Sequence, residues 1–471
     1  MPTTAAKGFH LSLQQSRLWA MPGDKQVYRC QCAVSVEGPL NRKVFQQACE
    51  QLVRRHAILR STFYRMPGVD VPLQVVVDDA RFASIENDLT DLDALNQAAQ
   101  IKELFQQLQN EPFDIADGPL LRLSLLHLRE EQHLLLVSLP AFCADAATLQ
   151  LLVTELGHIY IANMRNEELA DQPLQYVDVS AWQNELLQEE STEWDQMPWH
   201  SIDLSQLATQ YLPFERSGKP AQPGQEEPFA PACEEITVAN TLFVQLRSLA
   251  QRYETSLEVL LLACWQILLW RLTGQENSVV GVACEGRAYE ELTQCLGLYT
   301  RFVPFSISFG EDRSFTRVLK EMDDMLNALR EEQYFFTWES VASFAEVRKS
   351  QDNTIFPITF ACENWPEHII AGSLSFRLQH SHSYQERFGL HLQALQTGDH
   401  LRLHLHYDTT RLQKVHIQHI AALFSTLLHN AVQRPQELVG RLSLLTNQAR
   451  QSLLEAFAPP ATPYLQQPWH R

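Results

Sequence analysis

The sequence predicts an α+β chain of two lobes, and three observations carry this expectation. Strand-like alternation and helical periodicity are interleaved along the chain. The pattern stops at a stretch over 212–231 that holds Pro213, Pro220, Pro223, Pro228 and Pro231 with Gly218 and Gly224, and then restarts. The chain has 471 residues, and at roughly 150 residues per domain this suits about three domains or two large lobes. The expected division is an N-terminal lobe over 1–185, a proline-rich inter-lobe segment over 186–234, a C-terminal lobe over 235–450 and a linker over 451–471.

Each element has a local reason. Over 28–38, Tyr28, Cys30, Cys32, Val34 and Val36 share one face and Arg29, Gln31, Ser35 and Glu37 the other, which predicts a half-buried strand. Over 40–58, Val44, Phe45, Ala48, Cys49, Leu52 and Val53 fall at helical spacing. Arg54 and Arg55 lie at the C-terminal end, where the helix dipole favours positive charge. Apolar runs over 120–128 and 133–139 flank a charged turn and predict a hairpin, followed by a helix over 146–162. Past the proline-rich stretch, 241–253 is helical. Thr255 and Glu258 have capping-box spacing before the apolar run 259–272. That run is shorter than the ~20 residues of a membrane span and predicts a buried core helix. Strands follow over 278–284, 355–362, 373–380, 388–395 and 401–407, the last two joined by a Thr397-Gly398-Asp399 turn, and a helix over 412–432 closes the pattern. Pro459, Pro460, Pro463 and Pro468 give the tail the composition of an inter-domain tether.

Composition narrows the function classes. The chain is 45% hydrophobic and 20% charged, as globular proteins are. Its formal net charge of −19 opposes binding to duplex nucleic acid or an anionic membrane surface. Nine scattered cysteines without a CxxC pattern, and no apolar secretory segment over 1–10, lead us to expect a reducing, cytoplasmic setting.

Phosphate-loop, dinucleotide, zincin and nucleophile-elbow motifs are absent. Cys30 and Cys32 lack suitably spaced partner ligands, so core packing is the expected role and no metal site is predicted. His404 and Asp408 have acyltransferase HxxxD spacing, but they sit in an alternating run and are expected on a solvated strand face. The informative stretch is Pro140-Ala141-Phe142-Cys143-Ala144-Asp145-Ala146, where a strand ends, one acid follows and a helix begins.

This junction resembles that of the condensation domains of nonribosomal peptide synthetases, which carry HHxxxDG there. Asp145 is kept, Pro140 and Ala141 replace both histidines, and Ala146 replaces the glycine. The resemblance runs through the chain. Leu11-Ser12-Leu13-Gln14-Gln15-Ser16-Arg17-Leu18-Trp19 is similar to LSxxQxRLW, and the stretch from Arg55 to Phe63 is similar to RHExLRTxF. The stretch from Tyr176 to Gln183 is similar to YxDYAxWQ. Gly286-Arg287 and Leu296-Gly297-Leu298-Tyr299 are similar to the GR and IGxFVNT region, with Arg301 where Asn is usual. The stretch 442–463, with Leu444-Leu445-Thr446, resembles the linker into an adenylation domain.

The resemblance implies two chloramphenicol-acetyltransferase-like lobes in a V, with a tunnel between them. Phosphopantetheine arms of donor and acceptor carrier proteins would enter from opposite ends, and no intrinsic cofactor is expected. The second histidine of the motif orients or deprotonates the acceptor amine. Its position here is Ala141, so no catalytic residue is assigned with the motif. Asp145 is expected to be structural, paired with Arg60 or Arg287, and to cap the following helix. Phe142, Cys143 and Tyr299 are candidates to line the tunnel. Cys143 could replace the nucleophile, but without a nearby histidine it reads as a buried inert thiol.

Two functions remain open. Alanine can neither accept a proton nor a hydrogen bond, and losing a general base removes about 10²–10⁴-fold of rate. The preferred expectation is therefore a non-catalytic platform or gate that docks carrier proteins or a recruited tailoring enzyme, next to a downstream adenylation domain. The alternative is an active acyltransferase using other residues or proximity alone. An unobstructed tunnel with a polar group facing its centre favours the acyltransferase, and a tunnel plugged by the loop favours the platform.

Overall fold

Two six-stranded sheets backed by helices, with a small three-stranded sheet beside them, frame the molecule. In this computed structural model the described residues are 8–451, apart from 66–71, 170–171, 189–196, several within 198–211, 216–228, 338–353 and the single positions 22, 80 and 447. Most of the proline-rich stretch and the tail over 452–471 therefore lie outside the described residues.

The chain opens with β1 (Gly8–His10), α1 (Leu13–Ala20), β2 (Arg29–Glu37), α2 (Arg42–Arg55), β3 (Ser61–Tyr64), β4 (Leu73–Val76) and β5 (Ala83–Asp88). It continues with α3 (Ala94–Asn110), β6 (Arg122–Arg129), β7 (Gln132–Pro140), α4 (Ala146–Arg165) and α5 (Tyr176–Gln188). Past the proline-rich stretch come β8 (Pro231–Thr237), α6 (Asn240–Arg252), α7 (Leu257–Thr273), β9 (Val279–Cys284), β10 (Arg301–Ser306) and α8 (Phe315–Glu332). The last elements are β11 (Ile358–Trp365), β12 (Ile369–Ala371), β13 (Leu374–Ser383), β14 (Leu390–Thr397), β15 (His400–Asp408) and α9 (Lys414–Gln433).

The N-terminal sheet has the order β12-β13-β2-β7-β6-β5, and the C-terminal sheet β10-β9-β11-β14-β15-β8. The division expected at the proline-rich segment is thus corrected at two points. β12 and β13, which follow β11 of the C-terminal sheet, cross over to the N-terminal one, where β13 pairs with β2 and β12 with β13. The inter-lobe segment also ends inside a strand, because β8 begins at Pro231 and pairs with β15. The cores are joined as well, since Leu292, Leu296, Leu298, Tyr299 and Leu395 pack into the N-terminal core.

Other local expectations meet their physical limits here. β2 is covered on both faces rather than half-buried, because the main core packs on one face and α3 with its cluster on the other. Cys30, Cys32, Val34 and Val36 face the main core, while Ala33 packs with Leu108 of α3, Leu126, Leu134 and Leu136. The cap of α7 is Ser256, whose Oγ accepts from Val259 N (3.1 Å). Thr255 instead donates to Asp323 (2.6 Å), and Glu258 pairs with Arg330. α7 itself is buried all round, as its unbroken apolar run requires. His404 and Asp408 alternate as expected but are buried, because Tyr384 after β13 covers that face and hydrogen-bonds His406 (3.0 Å). Asp408 caps the following turn by accepting from Thr410 N (3.0 Å) and shows no bond to His404, so the pair forms no HxxxD device. All nine cysteines are free thiols. Among the described residues no single helix is long and apolar enough to cross a membrane.

The crossover makes the lobes mutually dependent. Phe376 on β13 is buried in the N-terminal core although it lies late in the chain. Phe376→Ala is expected to destabilise the protein by about 3–5 kcal/mol, and hydrogen exchange should speed up at the amides of β2 and β7. Faster exchange confined to the C-terminal sheet would contradict this.

Candidate active site at the lobe interface

The segment between β7 and α4 is a buried loop. Ala141 N–H donates to Tyr28 O (2.9 Å), Cys143 N–H to Pro140 O (3.1 Å), and the Cys30 thiol to Ala144 O (3.2 Å). Phe142 packs against Phe63 (centroids 5.3 Å apart) and meets Trp19 edge-on (6.2 Å). Ala141, Cys143 and Ala144 are each 0% exposed and sit in the N-terminal core. Burial pushes the Cys143 thiol far above its ordinary range, and its Sγ rests on Pro140 O (3.2 Å). It is an inert core thiol.

Asp145 closes this loop and is itself 0% exposed. As the N-cap of α4, its Oδ1 accepts from Thr148 N (2.8 Å). It also joins the two lobes. Arg287 Nη1 donates to Oδ2 (2.9 Å) and Nη2 to Oδ1 (3.0 Å), a bidentate pair. The backbone N–H groups of Tyr299 and Thr300 donate to Oδ2 at 2.9 and 3.0 Å. Arg287 is held in turn by Cys295 O (3.2 Å) and Gly297 O (3.2 Å), and it lies over the Tyr299 ring at 4.3 Å. Burial alone would raise the Asp145 carboxyl, but Arg287 and the backbone donors hold it below the ordinary carboxylate value. Of the two expected partners, Arg287 is the one found. Arg60 instead donates to Val77 O (2.7 Å), because its 3₁₀ turn faces the small sheet.

The scattered motifs converge on this clasp. Ser12 and Gln15 form a capping box on α1, and Gln15 Nε2 reaches Phe142 O (2.9 Å) while Gln14 Nε2 reaches Tyr299 O (3.0 Å). Arg17 pairs with Glu386. Tyr176 OH lies 2.8 Å from Ser12 Oγ and donates to Leu298 O (2.6 Å). Gly297 holds φ +151°, and a Cβ there would stand 2.0 Å from the Tyr176 ring. Gly286 holds φ +71°, with Tyr299 O 2.4 Å from where a Cβ would be. Arg301 donates to Gln333 O (2.7 Å).

A cavity of about 600 Å³ lies between the lobes beside this clasp. Ala146, Ala147 and Gln150 of α4 line one side, with Glu363, Gln385 and His391 among the residues on the others. The tunnel candidates Phe142, Cys143 and Tyr299 do not line it, since they pack into the N-terminal core with Ala141, and Pro140 does not line it either. Ala146 and Arg287 do line it. The loop therefore does not plug the space.

The residue that sequence reasoning missed is Glu363 on β11. Its signal was a single acid at the end of an otherwise apolar strand run. Gln393 Nε2 donates to Glu363 Oε1 (2.7 Å). Gln393 is oriented by His404 Nδ1 and His406 Nε2, each 3.1 Å from its Oε1. Glu363 Oε2 is shielded from solvent and has no hydrogen-bond partner among the described residues. Burial pushes this carboxyl up to about 7, with the Gln393 hydrogen bond opposing and the Asp145 charge adding. Among the described residues no group of histidine, cysteine and acidic side chains suits a metal ion.

Breaking a buried charge pair leaves the partner uncompensated. Asp145→Ala and Arg287→Met are each expected to cost about 3–5 kcal/mol, seen as a lowered melting temperature, while Arg60→Ala should cost far less. Because the folded Asp145 value is depressed, the clasp's contribution is complete above the unfolded carboxyl value of about 3.9. It is lost as pH falls below that, through the folded value. A melting curve unchanged in Asp145→Ala would contradict the clasp.

Comparison with known proteins follows the same geometry. The Condensation domain profile matches residues 6–454. Surfactin synthase subunit 1 of Bacillus subtilis (strain 168) is 25% identical over 468 residues, covering 98% of this chain and 12% of that protein. The chain thus spans about an eighth of that relative's length. The first condensation domain of the CDA synthetase superposes with a TM-score of 0.78 at 17% identity, covering 94% of this chain and 100% of that one. The X-domain in the complex of the X-domain and OxyB from teicoplanin biosynthesis superposes at 0.71 and 17% identity, covering 95% and 98%. These structures share the two-lobed α+β fold. With the profile matched along nearly the whole sequence, the chain belongs to the condensation-domain family of nonribosomal peptide synthetases.

Proposed function

We propose that this domain transfers acyl or aminoacyl chains held on the phosphopantetheine arms of donor and acceptor carrier proteins, inside a synthetase that continues into an adenylation domain. The observation that carries this reading is the cavity. It lies between the lobes against the first turn of α4, carries polar groups in a mainly apolar wall and is not filled by the loop. An elongated tethered chain fits such a space, and holding two tethered reactants together supplies effective molarity. The family's histidine route is not available, because Ala141 has no proton-accepting group and faces the core.

One observation favours the platform reading instead. The buried, apolar loop leaves the motif position with no chemistry, and the X-domain of the teicoplanin system is named in complex with OxyB. On that reading this domain would recruit a tailoring enzyme in a similar way.

A single-turnover assay with loaded donor and acceptor carriers, read by intact-protein mass spectrometry, separates the two. Acyl transfer predicts product from the wild-type domain and a loss of about 10²-fold in Ala147→Trp, which fills the cavity. Ala144→Trp is unsuitable as a block, since Ala144 is buried in the core. Ala141→His should add no activity and should destabilise by about 1–3 kcal/mol through overpacking. Carrier docking without any product from the wild type would replace this reading with the platform.

A further inference from the structure

We propose that Glu363 is the proton acceptor for the attacking amine in the inter-lobe cavity, working from the lobe opposite the loop that lacks one. This rests on the acyl-transfer reading above and assigns the catalytic group for it.

Position comes first. Glu363 lines the same cavity as Ala146, Ala147 and Gln150, at the start of the helix that follows the loop. It approaches on β11, while the loop belongs to the other lobe. A base on that wall needs no change in the loop.

Its hydrogen bonding is half complete. Oε1 is fixed by Gln393, whose amide is turned by His404 and His406 so that its NH₂ points at the carboxylate. Oε2 has no donor among the described residues although it is shielded from solvent. Buried polar atoms are nearly always hydrogen-bonded, so an acceptor left unpaired on a residue that lines a cavity calls for a donor from whatever fills that cavity. An amine N–H is such a donor.

The nearby cations are already engaged. Arg287 is tied to Asp145 and Arg330 to Glu258. No ion pair to Glu363 forms among the described residues, so its carboxylate is free to take a proton. Its raised titration point supports the same role, because a base titrating near neutrality balances ionisation against proton affinity.

The step balances with no further reactant. The neutral acceptor amine attacks the donor thioester carbonyl and the N–C bond forms. Glu363 Oε2 takes a proton from that nitrogen. As the C–S bond breaks, the carboxylic acid returns this proton to the departing phosphopantetheine sulfur. The products are an amide and a thiol, and Glu363 ends as it began.

The test uses the domain with the carrier proteins of its own synthetase, loaded by their own adenylation domains, in single turnover. Glu363→Gln keeps the shape and the acceptor for Gln393 but cannot take the proton. It is expected to slow transfer by about 10²–10⁴-fold, with unchanged affinity for pantetheine and an unchanged melting temperature. Glu363→Asp, which keeps a carboxylate, is expected to retain more rate than Glu363→Gln. Glu363→Gln within about threefold of wild type, or equal losses in both variants with normal melting, would overturn the assignment of Glu363 and leave the acyl-transfer reading standing. A wild-type domain that forms no product would overturn that reading, and this assignment with it.

Discussion

The bidentate pair between Asp145 and Arg287 is the contact on which the site's geometry depends. It joins the first turn of α4 in one lobe to the segment between β9 and β10 in the other, with both side chains out of solvent. A buried ion pair is stabilising only when the remaining donors and acceptors are also met, and here they are. Thr148, Tyr299 and Thr300 complete the carboxylate, and Cys295 and Gly297 hold the guanidinium. The cost of taking two charges from water is offset by this full set of hydrogen bonds. The result is a fixed orientation between the lobes, reinforced by β13, which leaves one sheet to complete the other.

The motif residues found along the sequence serve that clasp and its loop. Ser12, Gln14, Gln15, Tyr176, Gly286 and Gly297 all act on the clasp or on the loop backbone, and none of these contacts needs a histidine. The loop is a packing element here, filled by Phe142 and closed by Asp145. The cavity beside it has a mainly apolar wall that carries several polar side chains. The loop thus packs the core, while an ionisable group, Glu363, stands on another wall of the cavity.

Much of the fold was legible, because periodicity reports local faces well. The hairpin of β6 and β7, the all-apolar α7 and the restart after the prolines follow directly from residue spacing. Other features depend on what packs on top, which spacing cannot report. β2 alternates in sequence yet is buried on both sides by α3 and the main core, and the polar-looking face of His404 and His406 is covered by Tyr384. Nothing local says that β13 crosses to the other sheet. At the site, the motif register identified Asp145, and Arg287 came from the GR pair. The resemblance leaves Arg60 and Arg287 as alternatives, and the direction of each side chain, which a motif does not give, decides for Arg287. Glu363 had only the weak signal of one acid ending an apolar strand run, and it is picked out by its unpaired, buried Oε2 and the cavity that the residue lines.

The central claim is that Asp145 and Arg287 act as one coupled unit across the lobes. A double-mutant cycle combining Asp145→Asn and Arg287→Gln, followed by denaturant unfolding, tests it most directly. The account predicts a coupling energy toward the upper end of the ~0.5–3 kcal/mol range seen for contacting residues. Additive losses, with a coupling indistinguishable from zero, would contradict it.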